Sequence, residues 1–130
     1  NENDVTAVEE LVFGDNDQLA AHITHYFDAK LLVILTDING YYDDNPHTNK
    51  DATLIKEISS INNNMLKQTH TPNSKFATGG IVTKIKAAEF LLKKNQKMFL
   101  ASGFDLSDAK SYLIDNIHKN GTLFRNENDK

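Results

Sequence analysis

The sequence predicts a layered α/β domain built on a mainly parallel sheet, and three observations lead there. The runs LLVIL (residues 31–35) and MFLA (98–101) are continuously apolar and of strand length, as expected of strands covered on both faces. Each follows a stretch with helical spacing of apolar residues. Strand and helix patterns then alternate along the chain, separated by polar, turn-rich segments.

Taken in order, residues 7–13 carry Val8, Leu11, Val12 and Phe13 and read as a short strand or edge ribbon. After GDND (14–17) a helix is expected over 16–29. Leu19, Ala20, Ile23, Tyr26 and Phe27 share one face, and Asp15 or Asn16 serves as N-cap. The strand 31–35 leads into a polar loop, 36–52, punctuated by Gly40 and Pro46 and too long for a bare connection. Residues 57–67 read as a weak helix, where Asn62, Asn63 and Asn64 are poor helix formers but good caps. A second flexible loop, 68–79, precedes a helix over 80–95. That helix carries Ile81, Ile85, Ala88, Phe90, Leu91 and Leu92, with Lys93, Lys94 and Lys97 near its negative end. The strand 98–101 and the turn Ser102-Gly103 lead to a helix over 107–118 with Tyr112, Leu113 and Ile117 inward. Residues 121–124 form a terminal strand. The domain therefore spans 1–124, and 125–130 (RNENDK) is expected to be a disordered polar tail.

Composition narrows the class. A chain of 130 residues is of single-domain size, and a net charge of −4 offers no general attraction to nucleic acid or anionic lipid. With no cysteine there is neither a disulfide framework nor a thiolate zinc site, which fits a reducing compartment and a cytoplasmic location. The longest apolar run is one strand long, so no membrane-spanning helix is expected. Asn1 is not a natural start, so upstream targeting is left open.

The chemistry centres on TGGIVTK, residues 78–84, which runs directly into a helix. Gly79 and Gly80 remove two Cβ atoms from a helix-opening loop, leaving N–H groups open to an anion at the positive end of the helix dipole. Thr78 and Thr83 add hydroxyls and Lys84 a mobile charge. The Walker A spacing is absent, and taken alone the glycine pair reads equally well as a turn. In open α/β sheets ligands gather at the carboxyl ends of the strands. Residues 14–17, Thr36-Asp37, residues 78–84 and Ser102-Gly103 all fall at such places. Each has a plainer reading: Asp15 and Asp17 as helix caps, Asp37, Asp43 and Asp44 as solvated turn residues, Tyr41 and Tyr42 as packing groups. His22, His25, His47, His70 and His118 show no ligand spacing, and no metal ligands are expected among them.

The ordered segments NEND, GDND, LLVILTDINGYYDDNPHTN, TGGIVTK, ASG and GTLF resemble the amino acid kinase family, in its glutamate-phosphorylating branch. The resemblance covers residues 1 to about 124. It implies a three-layer αβα sandwich that transfers the γ-phosphoryl of Mg-ATP to the side-chain carboxylate of L-glutamate, with ATP and Mg2+ as the groups bound. It further implies that Asn1, Asp4 and Asn16 contact the amino acid and that Asp17 orients catalytic lysines, Lys84 among them. Thr36, Asp37, Thr78, Gly79, Gly80, Ile81, Val82, Thr83 and Lys84 are implied to hold ATP. Dimers or tetramers are implied as well, with no nucleic-acid or membrane partner.

Two departures stand out. Members of the family commonly carry Asp before the proline where this chain has Asn45, a change expected to be tolerated because Asp43 and Asp44 keep the loop acidic. The resemblance also begins in mid-domain. It implies an upstream half with a further phosphate-facing lysine and a glycine-rich loop, without which apolar edges and faces are expected to be exposed and turnover to fail. Alternative readings are a UMP, acetylglutamate or aspartate kinase relative, or a nucleotide-binding module without turnover.

Overall fold

A computed structural model describes residues 16–67 and 80–127. Its elements in chain order are α1 (Asn16–Tyr26), β1 (Leu31–Thr36), β2 (Glu57–Ile58), α2 (Asn63–Lys67), α3 (Gly80–Lys93), β3 (Lys97–Ser102), α4 (Ser107–Ile114) and β4 (Thr122–Phe124). The strands form one sheet in the order β1-β3-β4-β2. β1 pairs with β3 and β2 with β4 in parallel, while β3 and β4 are antiparallel, so the sheet is mixed but mainly parallel, as expected.

Alternation along the strands divides the core into two faces. Ile34, Met98, Leu100 and Phe124 point to the side covered by α1 and α3, where they join Ala21, Ile81, Ile85, Ala88 and Leu91. Leu31, Val33, Phe99, Ala101 and Leu123 point to the other side, under α4, with Ala109 and a Tyr112 ring stacked on Phe99 at 4.3 Å. Helices on both faces of a sheet make the three-layer arrangement. Asp28, Asn95 and Asn116, just past the ends of α1, α3 and α4, all adopt positive φ, the left-handed stop that Asn and Asp tolerate without glycine.

Several expectations change. Ile23, Tyr26 and Phe27 are exposed, Tyr26 to 82%, while Ala21 and Thr24 form the buried face of α1. Small side chains let α1 lie close to α3, and the Thr24 hydroxyl is satisfied by the Ala20 carbonyl at 2.8 Å. The segment 57–67 is not one helix. Glu57 and Ile58 are drawn into the sheet by β4, and the five-residue α2 starts only after Asn62, whose Oδ1 caps the Met65 N–H. Strand β1 packs on both faces, Leu32 and Ile34 on one and Leu31 and Val33 on the other, but it ends the strand order among the described residues and Leu35 at its end is half exposed. Helix α4 ends at Ile114, leaving Leu113 and Ile117 exposed and only Tyr112 of the three expected residues packed inward. The start of the tail is tied down: Arg125 pairs with Glu57 at 3.0 Å, and the Asn126 amide donates to the Leu92 carbonyl and to Asn95 Oδ1. The strand expected over 7–13 lies outside the described residues.

Candidate active site

Helix α1 precedes β1 and α3 precedes β3, each joined by only a few residues. Both helices therefore run back against the strand that follows, and their N-termini lie at the carboxyl end of the sheet. There they meet. Lys84 Nζ donates to Asp17 Oδ2 at 3.2 Å and to the Gly80 carbonyl at 3.1 Å. The Thr83 hydroxyl lies 2.7 Å from the same Asp17 oxygen. Gln18 Nε2 reaches the Thr83 carbonyl at 3.3 Å. The ion pair is largely shielded, with Lys84 and Asp17 side chains 15% and 19% exposed.

The geometry explains the choice of residues. A lysine in the opening turns of a helix sits against the positive end of the dipole and needs a fixed counter-charge, which Asp17 supplies from another element. Asp17 is itself in the first turn of α1, where a carboxylate is favoured. Lys84 has three N–H donors, and two are used within this group. Among the described residues, nothing lies within contact of where a Cβ on Gly80 would stand.

At the ends of β1 and β3, Thr36 and Ser102 are register partners, and the Gly103 N–H donates to the Thr36 carbonyl at 2.7 Å. A Cβ on Gly103 would stand 3.3 Å from Leu35 Cβ, so the turn hugs the neighbouring strand. Thr36 Oγ1 contacts Asp37 Oδ1 at 3.1 Å. Buried Ser102 accepts the N–H groups of Phe104 and Asp105 on its hydroxyl oxygen.

The loop after β1 is built rather than loose. Tyr41 is buried, its carbonyl accepts the Ile55 N–H at 2.8 Å, and Tyr42 forms an antiparallel bridge with Leu54. Its fastening is Thr122, whose hydroxyl accepts from the Tyr41 N–H at 2.8 Å and donates to the Ile55 carbonyl at 2.6 Å. Within the loop Asp44 accepts from the Asn49 side chain and the Asn45 N–H. Together these hold its carboxyl below the usual carboxylate range. Asn45 Oδ1 accepts the His47 N–H at 2.9 Å, a task a carboxylate oxygen performs equally well, which gives the Asn-for-Asp departure a physical basis.

Of the expected site residues, Asp17, Thr83 and Lys84 come together, with Asn16 one residue away at the start of α1. Thr36 and Asp37 lie at the same end of the sheet. Ile81 is in the core, so only its backbone is available to a ligand, and Val82 is packed against that core. Asn1, Asp4, Thr78 and Gly79 lie outside the described residues. His22 stacks on Phe90 at 4.0 Å and His118 Nε2 meets the Gly121 carbonyl at 2.9 Å, so both have packing roles. Sequence reasoning missed Gln18 and Thr122, whose partners lie 65 or more residues away and leave no local signal.

Comparison with known proteins agrees with this layout. The model of the amino acid kinase family matches residues 1–102. The chain is 54% identical over 128 residues to glutamate 5-kinase of Wolinella succinogenes, covering 95% of this chain and 49% of that protein. It is 54% identical over 124 residues to glutamate 5-kinase of Leishmania donovani, covering 95% of this chain and 47% of that one. The chain thus spans about half the length of the curated relatives it matches. Among solved structures it resembles carbamate kinase from Giardia lamblia bound to AMP-PNP, with a TM-score of 0.60, 25% identity, and coverage of 87% of this chain and 32% of that one. The T. acidophilum isopentenyl phosphate kinase product complex has the same fold, with a TM-score of 0.59, 22% identity, and coverage of 84% and 38%. A match over most of the chain, on a sheet with helices on both faces and a lysine–aspartate pair at its carboxyl end, leads to one conclusion: the chain belongs to the amino acid kinase family.

Proposed function

We propose that this chain is the nucleotide-side portion of a glutamate 5-kinase. The reaction would move the γ-phosphoryl of ATP onto the side-chain carboxylate of L-glutamate, giving L-glutamyl 5-phosphate and ADP, the first step of proline biosynthesis. The observation that carries this reading is the shielded Asp17–Lys84 pair where two helix N-termini meet. The names of the 54%-identical relatives support glutamate as the acceptor.

In this reading the bond from the γ-phosphorus to the β,γ-bridging oxygen breaks as a glutamate carboxylate oxygen attaches. A carboxylate is already a competent acceptor, so no strong base is required. The difficulty is bringing anions together, which a fixed ammonium and helix N–H groups offset. Lys84 faces the transferred group, and Asp17 keeps it in place. Thr36, Asp37 and residues 78–84 hold the nucleotide, while Asn1, Asp4 and Asn16 hold glutamate, Asp4 pairing with its ammonium. Asp17, the carboxylate of the pair, is taken by Lys84 and Thr83, and no group of three or more His, Cys, Asp or Glu side chains converges among the described residues. These residues therefore fit a Mg2+ carried on the nucleotide phosphates, where it neutralises phosphate charge. The remainder of the kinase domain completes the sheet beyond β1, and the working enzyme is a cytoplasmic dimer or tetramer.

The test is ADP release from the complete kinase domain, offered glutamate, aspartate, N-acetylglutamate and UMP separately. Release with glutamate alone is expected. Release with another acceptor would keep the nucleotide site and discard the glutamate contacts. Lys84→Ala is expected to lower turnover on the order of 10²-fold or more, and near-normal turnover would remove Lys84 from the mechanism.

A further inference from the structure

We propose that the Thr83 hydroxyl is a positioning group, which locks the Asp17 carboxylate so that Asp17 in turn fixes the Lys84 ammonium. This rests on the kinase reading above and assigns Thr83 a task other than touching nucleotide through its hydroxyl. A threonine hydroxyl has one proton to donate. Two acceptors compete for it, Asp17 Oδ2 at 2.7 Å and the Gly80 carbonyl at 3.0 Å. The carboxylate wins, because a bond to an ionised acceptor is shorter and about twice as strong. The Gly80 carbonyl is then left for Lys84, 3.1 Å away.

The same Asp17 oxygen receives both Thr83 and Lys84. Without the hydroxyl, the flexible lysine that the carboxylate is meant to fix would be the side chain left holding it among the described residues, and the carboxylate's terminal torsion is intrinsically broad. With the hydroxyl, the carboxylate is braced by a short, β-branched side chain with few χ1 choices in a helix, in the rotamer that also brings its oxygen to 3.0 Å from the Gly80 carbonyl. The backbone beneath Thr83 is gripped by Gln18, the residue next to Asp17, at 3.3 Å. Two successive residues of α1 therefore clasp one residue of α3, and the proton of Thr83 is already committed inside that clasp.

The experiment uses the complete kinase domain with Thr83→Val, Thr83→Ser, and Thr83→Val in an Asp17→Asn background. Turnover and KM for ATP are measured. In the absence of ligands, acylation of the Lys84 amine is followed by peptide mass spectrometry, with melting temperature recorded to confirm folding. Thr83→Val is expected to lower kcat about tenfold, the equivalent of one hydrogen bond to a charged group. KM for ATP should stay within about twofold, since the Thr83 hydroxyl is committed to Asp17 and residue 83 is left its backbone alone to offer the nucleotide. Thr83→Ser should restore turnover, Thr83→Val should cost nothing further beside Asp17→Asn, and Lys84 acylation should rise several-fold in both Thr83→Val and Asp17→Asn.

A raised KM for ATP at unchanged kcat would overturn the proposal and make the hydroxyl a nucleotide ligand. Additive losses in the Asp17→Asn background, or unchanged Lys84 acylation, would overturn it too. Absence of phosphoryl transfer to any acceptor by the unsubstituted enzyme would sink the kinase reading instead, and the acylation rates would then decide by themselves whether Thr83 fixes Lys84.

Discussion

The two faces of the sheet are built to different standards. Under α1 and α3 the core includes Ile85, Ala87, Ala88, Leu91, Met98 and Leu100, all fully buried, and the polar group Asp17–Thr83–Lys84 closes its upper end. Under α4 the core is smaller. Among the described residues one eight-residue helix covers Phe99, Ala101 and Leu123, and Leu35, Phe104, Leu113, Ile114 and Ile117 are exposed. Lys84 belongs to the denser face. A charged side chain can be held in a fixed place only where its neighbours cannot move, and close-packed interiors give that rigidity.

The sharpest way to break this comparison is to remove volume from each face. Leu91→Ala, in the fully buried stripe of α3, is expected to cost about 2–5 kcal/mol in urea unfolding. Ile114→Ser, on the thinner face and 75% exposed, is expected to change stability by no more than about 0.5 kcal/mol. Equal costs at the two positions would mean that the second face is as well covered as the first. A finer test compares the turns above the sheet. Asp44 is held low by the Asn49 side chain and then the Asn45 N–H, and Asp105 by the N–H and hydroxyl of Ser107. Asn49→Ala should let Asp44 titrate closer to an ordinary carboxylate while Asp105 stays low, as read by NMR pH titration. The sign follows from linkage: a depressed folded pKa stabilises its turn above the unfolded value, and that contribution is lost as pH falls through the folded value. Acidification should therefore loosen the turn made by Asp44, Asn45 and Asn49, and at a higher pH in the Asn49→Ala variant.

Much of this was legible in the residues. LLVIL and MFLA gave β1 and β3 because continuous apolar runs of that length have few other uses, and α3 followed from its spacing and the lysines at its end. The fold layout brought segments 14–17 and 78–84 to one end of the sheet, while the pairing of Asp17 with Lys84, 67 residues apart, came from the family resemblance. What misled was the orientation of α1. Ile23, Tyr26 and Phe27 have the spacing of an inward face, yet periodicity reports that a face exists and not which neighbour it meets. The buried positions of α1 are instead Ala21 and Thr24, and it is His22 that stacks on Phe90 of α3. The two-residue β2 was illegible for another reason. Glu57 and Ile58 are too few to show a period, and their pairing is decided by Leu123 and Phe124 near the other end of the chain.

Thr122 has a consequence for the order of assembly. Its hydroxyl fastens the loop that begins at Thr36 and Asp37, yet it lies 81 residues beyond Tyr41 in the chain. Closing so large a loop is entropically costly before the contacts that reward it exist, so such pairings form late. The segment carrying Asp37 therefore waits for β4 to dock. During synthesis a ribosome will have translated almost all of these residues before that loop can take shape.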